Sequence, residues 1–477
     1  MVTFLASILL LIGGYFVYGK IVEKAFGVDE TRPTPATSMA DGVDYVPMGW
    51  KKIFLIQFLN IAGLGPIYGA ISGALWGPAA FLWIVFGAIF AGAVHDFFSG
   101  MLSVRHNGAS ISEIVGIYLG DTAKQIMRVF SIILLILVGT VFMLGPAKLL
   151  ASLTPDILTT NVWLAIIFVY YFLATILPID KLIGRFYPIF GAALIFMAVG
   201  ISVGLIFKGY TLPELTLANL HPKGLPIWPL LFITIACGAI SGFHATQSPM
   251  MARCLQNEKQ GRKVFYGAMI AEGIIALIWA AGAIAFFHGT DGLAAALAKG
   301  GPGAVVHTIS TSVLGVFGGV LAMLGVIACP ITSGDTAFRS ARLTIADSFN
   351  LKQGKPLARL QLAVPLFIVA FLLTRINFDI VWRYFAWSNQ TLAMIVLWTA
   401  AVYLKSIAKN HWIATVPATF MTAVTVTYIF QAPEGFGLPT TVSYPIGLIA
   451  AAVALGCFLL IKGKTRRNEK LKPALTK

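Results

Sequence analysis

The stretch Asn60-Ile61-Ala62-Gly63-Leu64-Gly65-Pro66 interrupts one apolar segment of the chain, and Cys237-Gly238-Ala239-Ile240-Ser241-Gly242-Phe243-His244-Ala245-Thr246-Gln247-Ser248-Pro249 interrupts another. Lipid cannot satisfy the N–H and C=O groups that an unwound helix sets free, so breaks of this kind survive where they face a cavity that holds a ligand. The chain resuming after each break, from Gly65 and from Gly242, begins a half-helix whose orphan N–H groups and positive dipole end suit a carboxylate. Gly63, Gly65, Gly238 and Gly242 allow close approach of backbone to a ligand; the alternative is close helix packing of the Gly-x-x-x-Gly kind, which Gly69 and Gly73 or Gly238 and Gly242 could equally serve. With Asn60 and Pro66 on the first break, and Ser241, Phe243 and His244 on the second, the first four glycines form the candidate substrate site. His244 can donate to a cargo carboxylate or carry a coupling proton, with an interhelical hydrogen bond as the alternative.

Two acids add to this set. An ionised carboxylate inside a span costs about 2.5–3.5 kcal/mol on insertion scales, so it normally marks a partner or an ion path. Asp96 is a candidate for gating or proton handling, and Asp335 for ion coupling, although both lie toward helix ends where charge costs less. Asp335 also precedes Arg339 by four residues, a helical ion-pair spacing. Tyr68, Phe243, Trp279 and Trp387 could line an apolar pocket, or face lipid as interfacial belts. Asn389 and Gln390 add paired amides, commonly used to bond helices together.

These groups need helices that cross a bilayer to hold them. The 477 residues are 58% hydrophobic and 11% charged, with a mean hydropathy of +0.85, against roughly 25% charged in soluble domains. At about 20 apolar residues per span, about thirteen helices are expected, near 2–19, 53–75, 79–103, 126–149, 162–178, 185–207, 227–248, 264–287, 306–330, 357–374, 380–404, 411–430 and 444–462. The first reads as a retained helix, since neither a cationic region before it nor a small-residue cleavage site after it suggests a signal peptide. Lys and Arg concentrate in alternate connections, from Lys20 and Lys24 through Lys181 and Arg185 to the tail beyond Lys462. Because cytoplasmic loops retain positive charge, the N-terminus is expected outside and the C-terminus inside. The net charge of +15 then reflects topology and anionic lipid headgroups rather than nucleic acid.

Setting aside the first helix and the last two leaves ten, divisible into five plus five. Each half opens on a broken span, and an odd number of helices per half inverts one relative to the other, as inverted-repeat transporters require. The expected fold is all-α, a polytopic membrane protein with a 5+5 inverted-repeat core whose first and sixth core helices are broken. Its divisions are an extra helix at 1–26, a cytoplasmic loop at 27–52, repeats at 53–207 and 227–404, two extra helices at 411–462 and a basic tail at 463–477.

The runs Thr34-Pro35-Ala36, Asp41-Gly42-Val43-Asp44-Tyr45-Val46-Pro47, Ala91-Gly92-Ala93-Val94-His95-Asp96-Phe97, Ala236-Cys237-Gly238-Ala239-Ile240-Ser241-Gly242-Phe243-His244 and Ser388-Asn389-Gln390 resemble the carbon starvation protein A family of peptide transporters. The resemblance implies peptide uptake across the inner membrane during nutrient limitation, with some relatives carrying pyruvate with protons. This chain is shorter than many members and has His95 where some relatives carry Gln. More distantly, Asn60-x-x-Gly63-Leu64-Gly65 and Cys329-x-x-Thr332-Ser333 resemble the first and eighth core helices of sodium-coupled symporters with the leucine-transporter fold. That resemblance implies Na+ held by the carbonyls of Leu59, Ala62 and Cys329 and the hydroxyls of Thr332 and Ser333, all hard oxygen donors.

No H-E-x-x-H or C-x-x-C-H occurs, and Gly463-Lys464-Thr465 lacks the earlier glycine of a phosphate-binding loop, which argues against a protease, a haem enzyme and ATP-driven transport. Cys237, Cys254, Cys329 and Cys457 show no zinc or disulfide spacing. The expected function is non-enzymatic, a carrier without a cofactor, and the family resemblance implies its cargo: cation-coupled uptake of peptide, or alternatively of pyruvate or another small carboxylate. The coupling ion is H+ or Na+.

Overall fold

The computed structural model describes residues 1–461 except 43, 177–186, 350, 352, 354 and 355. The expectations placed on Lys181, Arg185, the 185 end of the sixth span and the basic tail fall outside them. Apolar runs of this length become helices because only a helix bonds its own backbone without water, and among the described residues the sole β feature is an isolated bridge between Met48 and Leu255. In chain order the helices are α1 Val2–Phe26, α2 Trp50–Ile61, α3 Gly65–Trp76, α4 Ala79–Arg105, α5 Ile111–Leu119, α6 Asp121–Leu153, α7 Thr160–Ile176, α8 Tyr187–Phe207, α9 Leu230–Thr234 and α10 Gly242–Ala252. They continue with α11 Glu258–Phe286, α12 Thr290–Ser348, α13 Pro356–Leu373, α14 Phe378–Ser406, α15 Trp412–Gln431 and α16 Thr440–Leu460.

Nine helices among the described residues are long and apolar enough to cross a membrane, and ten if the bent pair α2–α3 counts as one span. This is fewer than the thirteen expected. Of the others, α7 is 17 residues long, α9 and α10 are separated by the second break, and α14 is diluted by Ser388-Asn389-Gln390-Thr391. One expected span is displaced. The helix placed near 306–330 is found at Gly318–Ser348, because α12 turns at Gly301 and Gly315, where φ is 68° and 73°. Only glycine adopts those angles without strain. Thr332, Ser333 and Asp335 consequently lie inside a helix rather than beyond or at its end.

The lysine- and arginine-rich end is tied together by one buried acid. Glu258, at the start of α11, accepts hydrogen bonds from Asp29 N (2.9 Å), Arg105 Nε (3.2 Å) and Arg105 Nη2 (3.0 Å). Arg105 also donates to the carbonyls of Phe26 and Gly27 and to the Tyr403 hydroxyl. One carboxylate thus links α1, α4, α11 and α14. Removing it leaves a largely buried guanidinium uncompensated, a loss of about 3 kcal/mol. Glu258→Ala is expected to lower the melting temperature in detergent markedly, and Glu258→Gln less; unchanged melting in both would show that the network does not hold this end together.

Candidate functional site

The two breaks touch. A Cβ added to Gly65 would lie 2.3 Å from Cys237 Sγ, and one added to Gly238 would lie 3.6 Å from Pro66 Cβ. At the first break the helix axis bends by 53° between α2 and α3, and α3 begins as a π-helix at Gly65–Gly69, a form often found at functional sites. The second break unwinds Ile235–Ser241, upstream of the expected Ser241–His244. His244 therefore sits in the first turn of α10. The reason is local: Gly238 takes φ +87°, a left-handed angle open to glycine, whereas Gly242 has no such demand.

Backbone groups freed by the second break find side chains rather than lipid, as burial requires. Trp83 Nε1 donates to Ile235 O at 3.1 Å, and Gln390 Nε2 donates to Phe232 O. Asn389 Oδ1 accepts from Phe243 N at 2.6 Å and from the Ser241 hydroxyl at 3.1 Å, so it occupies the anion-attracting start of α10. The paired amides on α14 thus hold the break itself. The candidate glycines are closely packed: Gly63 lies against Phe142, and a Cβ on Gly242 would stand 2.3 Å from the Asn389 carbonyl. Phe142 packs edge-on against Phe243, with ring centroids 6.0 Å apart.

Beside the breaks lies a cluster of four fully buried ionisable side chains: His95, Asp96, His244 and Glu272. Asp96 is the centre, with Oδ1 2.8 Å from His95 Nδ1 and Oδ2 2.8 Å from His244 Nδ1. The other ring nitrogen of His244 faces Glu272 Oε2 at 3.4 Å, and Glu272 Oε1 accepts from Gly238 N at 3.2 Å. A π-helix at Ala88–Gly92 precedes His95 and Asp96 on α4. Gly92 lets that helix reach the break, since a Cβ there would be 2.2 Å from Ala239 O. The arrangement can hold, share and pass protons within hydrogen-bond reach of unwound backbone.

Of the residues singled out from sequence, the structure brings together Asp96, His244, Ser241 and the glycines of both breaks. Asp335 stands apart on α12, with its carboxylate 3.6 Å from Arg339. The implied sodium ligands Leu59 and Ala62 end α2. On α12 the Thr332 hydroxyl donates to Cys329 O at 2.9 Å and Ala328 O at 3.1 Å. Ser333 Oγ and Asn60 Oδ1 are buried with no hydrogen-bond partner. Trp387 bonds Thr425 O, and Trp279 is fully buried. An apolar groove of about 820 Å³ is lined by Trp228, Trp412, Phe420 and Leu448, with no carboxylate or histidine in its lining.

Glu272 was not apparent from motifs, yet a signal existed: it is the one charged residue between Gly267 and Phe286, and an isolated intramembrane acid marks a functional position. Cys237, His244 and Glu272 also bring one ligand-type atom each within 4.8 Å of one another, donors that zinc accepts. The contacts present explain that spacing without an ion, because His244 Nε2 and Glu272 Oε2 face each other and Cys237 Sγ lies 3.5 Å from Ser241 and 3.4 Å from Asn389.

The family description Carbon starvation protein CstA matches residues 1–159 and 151–290. An uncharacterized membrane protein of Haemophilus influenzae is 47% identical over 63% of this chain and 95% of its own length. The peptide transporter CstA of Escherichia coli is 29% identical over 57% of this chain, and the pyruvate/proton symporter BtsT of the same organism is 30% identical over 57%. The match spans only about half of those two relatives, 48% and 47% respectively. Among solved structures, MhsT in complex with L-phenylalanine covers 86% of this chain and 97% of its own at a TM-score of 0.54 and 14% identity. Inward-facing Mhp1 covers 85% of this chain and 89% of its own at 0.50 and 14%. The fold is thus that of the leucine-transporter type, and the chain, an all-helical multi-pass membrane protein, belongs to the carbon starvation protein CstA family.

Proposed function

We propose that this protein is a secondary active transporter that takes up peptides, or alternatively pyruvate or another small carboxylate, across the cytoplasmic membrane by cation-coupled alternating access. The observation that carries the reading is the direct contact of two helix breaks beside a buried His–Asp–His–Glu cluster. Paired discontinuous helices at one level are the architecture of a midplane cargo site. Half-helix starts at Gly65 and Gly242 attract the carboxylate that peptide and pyruvate share. Asn389 Oδ1, held at 2.6 Å from Phe243 N, stands where a cargo carboxylate oxygen would bind and would swing aside for it. Phe142 and Phe243 close the site between transport steps. The names of the relatives, a peptide transporter and a pyruvate/proton symporter, agree with this class of cargo.

A sodium-driven form of the same reading is favoured by one observation, the buried and unpartnered oxygens of Ser333, itself an implied Na+ ligand, and of Asn60, which follows Leu59 in the chain. Uptake of labelled dialanine and pyruvate into proteoliposomes separates the two. We expect accumulation under an imposed proton gradient without sodium. Accumulation under sodium alone would transfer coupling to the Thr332–Ser333 site, and equal rates with and without either gradient would refute coupling.

A further inference from the structure

We propose that Glu272 takes up the coupling proton and that its protonation admits the anionic cargo beside the second break; this rests on the transport reading above. Geometry fixes much of the proton inventory. Asp96 lies 2.8 Å from Nδ1 of both His95 and His244. As a carboxylate it can only accept, so each Nδ1 carries a hydrogen. His244 Nε2 and Glu272 Oε2 then face each other at 3.4 Å, both buried, with the Cys237 thiol the other polar group beside them. Two lone pairs opposed in a buried site repel, so one proton belongs to this pair. With that proton the pair is neutral as a whole, His95 is neutral, and Asp96 leaves the cluster at one net negative charge.

A second proton, taken from water on the proton-rich side, converts the remaining carboxylate of the pair to a carboxylic acid while the imidazolium stays, and the cluster becomes neutral. The same proton leaves to water on the other side when the cycle reverses the step. A carboxylate cargo at the start of α10 meets a like charge in a low-dielectric interior before that uptake and none after it. Proton and anion therefore favour each other's binding, and the linkage is reciprocal.

The proton also reaches the moving part. Glu272 Oε1 holds Gly238 N at 3.2 Å, at the residue whose φ of +87° shapes the break. A charged acceptor makes that bond roughly twice as strong as a neutral one, so protonation loosens the break at the moment cargo binds. The charged and titratable groups facing Glu272 are His244 on α10, Asp96 and through it His95 on α4, and Cys237 in the break. None is exposed to solvent, so the pair titrates only when the breaks open.

The test uses the full-length protein in proteoliposomes, with labelled dialanine and pyruvate as probes. In the wild type, counterflow affinity should strengthen as pH falls from about 8 to about 6, by at most about tenfold per unit for one linked proton, and an imposed pH gradient should drive accumulation. Glu272→Gln keeps the acceptor for Gly238 N. It should retain counterflow, lose the pH dependence of affinity and fail to accumulate cargo above equilibrium. Gradient-driven accumulation in Glu272→Gln equal to wild type overturns the assignment and leaves the transport reading standing, as does wild-type accumulation driven by sodium and not by pH. If Glu272→Gln also loses counterflow, Glu272→Asp decides: recovery of both activities supports the assignment, and recovery of counterflow alone or of neither overturns it. Absence of wild-type counterflow with both probes refutes the transport reading and this inference with it.

Discussion

Asp96→Ala is expected to abolish transport and to destabilise the fold by about 3–5 kcal/mol. The side chain is fully buried and lies 2.8 Å from both histidine Nδ1 atoms, as their acceptor. Its removal leaves two buried N–H donors unpaired, each worth about 1–3 kcal/mol, and deprives a protonated His244 of its central counter-charge. Asp96→Asn is the milder probe. Its amide has one oxygen to offer, so one histidine must turn or change tautomer, and we expect a smaller fall in melting temperature with transport still lost. Wild-type melting and counterflow in both variants would show that Asp96 is neither the hub of the cluster nor part of the pathway.

The second large effect is steric. Gly242→Leu should eliminate transport, and here even Gly242→Ala should reduce counterflow at least tenfold. The added Cβ would meet the Asn389 carbonyl oxygen at 2.3 Å and Ala393 N at 2.7 Å. These are backbone atoms of α14, which cannot rotate away as a side chain can, and overpacking of this sort costs about 1–3 kcal/mol or more. The loss arises at the seam between α10 and α14 that keeps Asn389 over the helix start. Gly13→Ala is the control, since nothing lies within 4 Å of its Cβ position. Equal activity of the Gly242→Ala and Gly13→Ala variants would contradict the close seam.

Glycine, proline and polar interruptions were legible because the rest of each span is apolar and a break stands out against it. The first break lies where Gly63-Leu64-Gly65-Pro66 placed it. The second was legible as a location but not to the residue. Its unwound part is upstream because Gly238, not Gly242, takes the left-handed angle, and spacing alone cannot tell a glycine needed for φ from one needed for packing. The displaced span in α12 has the same origin: residues 306–330 read as one apolar run, and the turn at Gly315 divides them. Asp96 appeared near a helix end by count along the chain, yet it is fully buried because α10 and α14 cover that part of α4. Glu272 belongs to no motif, and its role depends on His244 and Gly238, which only the folded chain brings to it.

The central claim, a carrier that moves a carboxylate-bearing solute through the paired breaks, is tested most directly by counterflow. Proteoliposomes preloaded with unlabelled solute and diluted into labelled solute, without any ion gradient, separate carrier-mediated exchange from leak and from channel flux. Across di- and tripeptides, pyruvate and amino acids, we predict a saturable, transient overshoot of label for at least one peptide or pyruvate, absent from liposomes containing the Gly242→Leu variant. No overshoot with any of these solutes, or flux that rises linearly with concentration, would contradict the account.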